Sequence, residues 1–265
     1  EAEEDSTGFV NVKMEGQQFV QDNRCNHLGL SEEKGTGFYT PYWPHVTTEE
    51  SYMPLFSDVA LPSALAQKVG NTQTTEIATS LNNDIGSLKG LIISRGSEYG
   101  TYDFMTDENY KNVEDNVVME TQAEISYLAR AIMTSMNDIF CPNTTYTAED
   151  GTTYTVLDTA NCSVGVDKKL PPQELFAREG YDRYTETTID GKTFYVYNEE
   201  TDADRSSWYK LGNVSVNSKL VEQVTLMPSY TQDGKANYGL ADQITKAWSK
   251  EDLYLNPNDT SRCNF

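Results

Sequence analysis

Thr185-Glu186-Thr187-Thr188-Ile189-Asp190-Gly191-Lys192-Thr193-Phe194-Tyr195-Val196-Tyr197 is the stretch that decides the fold. β-Branched and aromatic residues fill both flanks, which suits extended chain. The Asp-Gly pair between them supplies the positive φ angles of a type I′ turn, so the stretch reads as a tight two-residue hairpin. Upstream, Tyr146 to Glu149, Asp150-Gly151 and Thr152 to Val156 read the same way, and a weaker copy surrounds Asp233-Gly234. Val214 to Leu226 holds further strand-like stretches. The flanks of the three turns do not align, so they form no sequence repeat. They predict a hairpin-rich antiparallel sheet over residues 141–265.

Further toward the N-terminus the period changes. Prolines 41, 44, 54 and 62 fall in an irregular aromatic stretch, and the next is Pro142, so helices have room between. Ile77, Leu81, Ile85 and Leu88 recur at helical spacing. Gly90 reads as the stop of that helix, Leu91 to Ser94 as a short buried strand and Arg95 to Asp103 as the loop after it. From Asn116 to Phe140 a long helix is predicted. Its apolar stripe is Val118, Ile125, Leu128, Ala129, Ile132, Met136 and Ile139, and Asp115 or Asn116 serves as its cap. Phe9 to Val12 and Gln18 to Val20 read as two strands joined around Gly16. The expected architecture is α+β, one domain over residues 1–265. Its hairpin-rich antiparallel sheet packs against one long and one or two shorter helices, the helices concentrated in residues 63–140.

The chain carries 41 acidic and 20 basic residues, a formal charge of -21. Nucleic-acid binding needs the opposite sign, and an anionic membrane surface would repel the chain. No apolar run approaches the roughly 20 residues of a membrane span. Hydrophobic residues make up 37% of the chain and aromatics 11%, with 17 Tyr, which is too aromatic for a disordered polypeptide. Cys25, Cys141, Cys162 and Cys263 form no C-x-x-C pair, so a zinc ribbon or a dithiol redox site is not indicated. Cys141 and Cys162 bracket the first predicted hairpin and are expected to pair, leaving Cys25 with Cys263. A staple between such distant residues would remove about 4–5 kcal/mol of denatured-state entropy. Four free thiols in a reducing compartment is the competing reading. Sequons occur at Asn143, Asn161, Asn213 and Asn258. Asn161 precedes Cys162, where a glycan and a disulfide would compete, so the other three are favoured. The acidic opening Glu1-Ala2-Glu3-Glu4 fits a secreted chain after leader cleavage and equally a trimmed cytosolic one. The expectation is an extracellular or cell-surface protein.

Candidate chemistry is sparse. Only His27 and His45 are present, without a nucleophile elbow or metal-type spacing around them. Glu98 and Asp103, in the glycine-containing loop after the predicted strand, are the candidate catalytic acids of a carboxylate-dependent hydrolase. Glu199, Glu200, Asp202 and Asp204 crowd one loop and offer the oxygen ligands a hard cation such as Ca²⁺ takes. An EF-hand does not fit, since from Glu200 the sixth position is Arg205 and the twelfth Leu211. No other cofactor is indicated. Tyr39, Tyr42 and Trp43, beside prolines, and Trp208 are candidates for a stacking platform that binds a glycan or a partner chain. Rings buried to pin a loop over the core are the competing reading.

One segment carries a family resemblance. Leu61-Pro62-Ser63-Ala64-Leu65, then Gly90-Leu91-Ile92-Ile93 as a core strand, then Asn109-Tyr110, Glu114-Asp115 and Leu128-Ala129-Arg130-Ala131 on a helix resemble the inactive aminopeptidase-like lobe of nicastrin-type ectodomains. The likeness covers Leu61 to Met136. Active relatives hold zinc with histidines, and this segment has none, so the resemblance implies a lobe without zinc catalysis. The functional expectation is an acidic glycoprotein ectodomain that binds a protein, a glycan or its own copies. A carboxylate hydrolase and a cation-binding extracellular protein are the alternatives.

Overall fold

The computed structural model describes residues 2–14, 17–21, 24–32, 37–48, 52–56, 86–106 and 108–250. It is α+β, built from antiparallel sheets and helices, as the hairpin reading predicts. The chain divides into two compact units, Glu1–Ala123 and Glu124–Phe265.

In the first unit, β1 (Ala2–Glu4), β2 (Val10–Met14), β3 (Gln17–Gln21) and β4 (Arg24–Cys25) form an antiparallel meander. The expected N-terminal pair is β2 and β3, in register at Val12↔Val20. β5 (Gly29–Glu32) and β6 (Tyr39–Tyr42) form a second hairpin. The aromatic, proline-rich stretch folds back on β6: Trp43 N–H donates to Met53 O at 2.9 Å and Leu55 N–H to Pro41 O at 2.9 Å. Trp43 is fully buried, edge-on to Phe19 at 5.9 Å and to His45 at 5.5 Å. Of the two readings of this stretch, the pinned loop describes Trp43.

α1 (Ser87–Arg95) overturns the reading of residues 90–94. The helix runs through Gly90 and ends at Gly96, whose φ of 82° lets its N–H reach Ile92 O and Ile93 O. An interior glycine costs a helix about 1 kcal/mol, which makes Gly90 look like a stop; the packed Ile92 and the glycine cap outweigh it. Leu91 is 69% exposed and lies in no buried strand. The core strand implied by the family resemblance is therefore helical, and Leu61 to Leu65 and the Ile77 to Ile85 repeat lie outside the described residues.

α2 (Val117–Phe140) begins where expected, with Glu120 N–H donating to Asn116 O at 2.8 Å. Its buried line is Met119, Ala123, Ser126, Met133, Asn137 and Phe140. The hydropathy stripe is rotated by one position: Val118 and Ile125 are exposed, and Leu128, Ala129, Ile132, Met136 and Ile139 are half-buried. Hydropathy skips Ser126 and Asn137 because they are polar. Asn137 is nevertheless buried, since its amide satisfies a strand edge described below.

The second unit is organised by a sheet of order β10-β11-β8-β7. β7 (Asn143–Thr147) and β8 (Thr153–Leu157) form one hairpin, and β10 (Tyr184–Ile189) and β11 (Lys192–Tyr197) the other. At Asp190-Gly191 both φ angles are positive, 50° and 71°, and Ile189 faces Lys192 across the predicted two-residue turn. At Asp150-Gly151 the prediction needs correction. Only Gly151 is left-handed, and Ala148 N–H donates to Thr152 O at 2.8 Å, closing a three-residue loop. That is the other common hairpin connection, a turn followed by a glycine bulge. Asp233-Gly234 closes in the same way, with Thr231 N–H on Lys235 O at 2.8 Å. β9 (Phe176–Arg178) pairs with β12 (Val214–Val216) as a separate two-stranded sheet. α3 (Ser218–Glu222) follows β12, and α4 (Gly239–Trp248) closes the described chain. Phe140, Cys141, Leu157, Cys162, Tyr184 and Leu240 form the core, with Met136, Ile139 and Ile244 packed on it. Thus the sheet and the ends of α2 and α4 share one apolar centre.

Candidate functional site

The second unit carries a groove of about 680 Å³ between the 165–174 segment, β9, the 180–184 turn and the start of α3. Its floor is a buried polar network. β9 presents Phe176 N–H and C=O away from β12, and the Asn137 side chain takes both, accepting at 2.9 Å and donating at 2.8 Å. One amide side chain thereby closes a strand edge that would otherwise leave orphan backbone groups. Asn137 Nδ2 also donates to Glu174 Oε2 at 3.1 Å, and the Tyr209 hydroxyl donates to the same oxygen at 2.7 Å.

Two arginines complete the floor. Arg183, 4% exposed, donates to Tyr184 Oη at 3.3 Å, Tyr209 Oη at 3.2 Å and Asp138 Oδ1 at 2.5 Å. Its Nη1 lies 3.8 Å from Glu174 Oε2. Arg178 donates to Ser207 O at 2.7 Å and Asn198 O at 2.9 Å, and stacks over the Tyr209 ring at 4.6 Å. Buried charge is tolerated only when paired and hydrogen-bonded, which is what the neighbouring carboxylate and hydroxyls supply. Burial pushes the Glu174 carboxyl above the usual carboxylate range, against the Tyr209 hydrogen bond and the Arg183 and Arg178 charges. Burial would lower the Arg183 guanidinium, but the Tyr209 and Tyr184 hydroxyls beside it carry the balance upward. The walls differ from the floor. Lys169 and Lys219 are exposed there, and neither has a carboxylate partner among the described residues.

The sequence candidates lie elsewhere. Trp208 is 2% exposed, its Nε1–H donating to Thr201 O at 3.1 Å with the Arg205 guanidinium 4.9 Å over its ring. Trp43 is equally inaccessible and Tyr42 half-buried, so of the proposed platform only Tyr39 is well exposed, at 50%. Rings this large are worth more in the core than in water, which explains why proline-flanked aromatics turn inward.

The acidic loop does not converge on a cation. Glu200 pairs with Arg130 and accepts Tyr209 N–H at 2.7 Å. Asp204 accepts the Ser206 hydroxyl at 2.6 Å, the Tyr181 hydroxyl and Ser206 N–H at 3.0 Å, and those hydrogen bonds, in that order, hold its carboxyl below the usual range. Glu199 and Asp202 are exposed. Among the described residues no three acidic, histidine or cysteine side chains gather as a metal would need.

Glu98 and Asp103 follow a helix rather than a strand, so the reason for placing them at a strand's ligand end is gone. Both are half-buried, and Asp103 accepts the Thr101 hydroxyl. Cys141 and Cys162 share the core cluster as separate thiols, Cys141 S–H donating to Pro172 O at 3.7 Å and Cys162 S–H to Thr159 O at 3.8 Å. Cys25 is exposed; its expected partner Cys263 lies outside the described residues, as does Asn258. Asn213 Nδ2 donates to Trp208 O at 2.8 Å, and Asn143 Oδ1 accepts the Tyr184 hydroxyl at 2.6 Å. Asn161 is the exposed sequon of the three, the reverse of the order expected from its neighbouring cysteine.

Sequence reasoning missed Glu174, Arg178 and Arg183. The signal open to it was two arginines, Phe176-Ala177-Arg178 and Asp182-Arg183-Tyr184, set among aromatic strand residues in a chain short of cations. Among the described residues no helix is long and apolar enough to cross a membrane. In comparisons with known proteins, no family model matches the chain, and no curated protein matches it either.

Proposed function

We propose that this chain is the binding module of a secreted or cell-surface acidic glycoprotein, and that its ligand enters the groove of the second unit. The observation that carries the reading is the division of labour in that groove. The floor's titratable groups, Glu174, Arg178, Arg183 and Tyr184, are engaged with one another, with backbone or with Tyr209 behind them, while the walls keep exposed polar groups. A floor of that kind fixes shape, and a wall of that kind contacts a ligand. The exposed sequon at Asn161 suits export, whereas Cys141 and Cys162, as separate thiols, do not add to that part of the reading.

A thermal-shift screen of saccharides and peptides tests the reading, with Ser218→Trp as the control. Ser218 is exposed at the groove, so the indole obstructs it without entering the core. A compound that stabilises the native chain and not the variant supports the reading. A screen without a stabilising compound, or one whose compounds act equally on the variant, overturns it.

A further inference from the structure

We infer that the groove takes a carboxylated saccharide, with Lys169 and Lys219 as the residues that read its charge. The inference rests on the reading of the groove as a ligand site and names the ligand's class. Charge comes first. The whole chain stands at -21, yet the groove is lined by four cations, Lys169, Arg178, Arg183 and Lys219, against Asp167, Glu174 and Asp182. Both arginines are buried, their Nη atoms on internal acceptors and Arg178 Nε enclosed without one, so the exposed lysines, on separate segments, are the cations an incoming anion meets. Two isolated ammonium groups suit a ligand with one or two carboxylates. A long polyanion would collect the repulsion of the rest of the surface.

The remaining lining is that of a sugar site. Tyr181 is half-buried with its hydroxyl committed to Asp204, which holds the ring in place as a face for the C–H side of a pyranose. Gln173 accepts from Asn217 Nδ2 at 3.5 Å, leaving its own NH₂ to donate to hydroxyls. Asp167 and Asp182 are exposed acceptors for sugar O–H groups. A peptide is less well served. The natural way for a peptide to bind beside β9 is to add a strand, and Asn137 already occupies the Phe176 N–H and C=O on that side.

Isothermal titration with a sialylated trisaccharide and a uronic-acid oligomer, beside neutral lactose and an acidic decapeptide, is the test. Binding of at least one carboxylated saccharide is expected, with lactose at least about tenfold weaker. Lys169→Glu with Lys219→Glu should lower the carboxylated affinity by about tenfold or more, two exposed charge contacts being reversed. Raising the salt should weaken binding. The double variant's melting temperature, measured alongside, shows that loss of binding is not loss of fold. Equal binding of lactose, or carboxylate binding untouched by the lysine changes, overturns the carboxylate assignment; if Ser218→Trp still blocks, the groove stands. Binding of the decapeptide alone overturns the saccharide class. No binding in any arm, with no groove-dependent ligand in the wider screen, removes both readings.

Discussion

Replacing Arg183 by Met should unfold the second unit far more readily than its position on a short turn suggests. The side chain has nearly the right volume, so the cost is electrostatic. Arg183 is 4% exposed and Glu174 6%, with 3.8 Å between Nη1 and Oε2. Removing the guanidinium leaves a buried carboxylate without its cation, a change worth about 3–5 kcal/mol. Asp138, the other carboxylate partner, has a 61% exposed side chain, so solvent replaces what it loses. In the double variant Arg183→Met/Glu174→Gln the ion pair is removed whole, Arg178 keeps its carbonyl acceptors, and Gln still offers an acceptor to Tyr209 and Asn137. Its cost should fall to about 1–2 kcal/mol, below that of Arg183→Met alone. The pH dependence has a definite sign. The folded pKa of Glu174 is raised, so this group favours the folded state at low pH, and its contribution is lost as pH rises through the folded value. Arg183→Met removes a charge that opposes the rise, so the variant should be weakest above neutrality and recover on acidification. Hydrogen exchange of the β10 and β11 amides at pH 5 and pH 8 reads the second unit without interference from the first. If the two single changes simply add, or Arg183→Met costs under about 1 kcal/mol, the pairing assigned to the floor is wrong.

Asn137→Leu should cost about 3 kcal/mol, because the Phe176 N–H and C=O both lose a buried partner, and should speed exchange of the Phe176 amide; unchanged exchange would refute the edge-sealing role. In the first unit, a Cβ on Gly100 would sit 1.9 Å from Met119 O and 2.7 Å from Ala123 N, backbone atoms that cannot rotate away. Gly100→Ala should therefore cost about 3 kcal/mol or more, seen as earlier urea unfolding of buried Trp43. In reduced protein at pH 8, iodoacetamide should label Cys25 quickly and Cys141 only on unfolding, since burial pushes the Cys141 thiol up to about 12; equal labelling by mass would contradict that burial. With Glu200 paired to Arg130 and Asp204 tied to Ser206 and Tyr181, millimolar Ca²⁺ should leave the melting temperature unchanged, and a rise of several degrees would show that the acidic loop rearranges around the ion.

Where local chemistry decides, the sequence was legible. Asp190-Gly191 is a two-residue turn because both positions tolerate positive φ and Ile189 meets Lys192 directly. The same dipeptide at Asp150-Gly151 gives a longer loop, since pairing starts at Thr147↔Thr153, a register fixed across the strands and not by the turn. The span of α2 could be read from its periodicity and its buried face could not, because Asn137 is inside for the sake of Phe176, 39 residues later. The site is less legible still. Glu174 meets Tyr209 across 35 positions and Arg183 meets Asp138 across 45, and no spacing rule covers such pairs. Trp43 and Trp208 were conspicuous by composition, but hydrophobic gain drew them into the core.

The network also explains how an acid-rich chain closes this unit. Each carboxylate that folds inward must find a cation or several donors, and with 20 cations for 41 acids most acids must stay outside. Among the described residues Glu174 is the buried exception, and three features meet there: the Arg183 guanidinium, the Tyr209 hydroxyl and the Asn137 amide, from three separate elements. Arg178 lies beside it, over Tyr209 at 4.6 Å and bonded to Ser207 O and Asn198 O, so a cation fastens the 198–209 loop to β9 through carbonyls and a ring. Glu200 repeats the device from the other side, holding Arg130 and the Tyr209 amide. Arginine suits the floor because its planar fork keeps several fixed bonds while its face stacks on tyrosine, as Arg178 and Arg183 do, which a lysine cannot. The cations therefore brace the loops where strands end, and the groove owes its shape to that bracing.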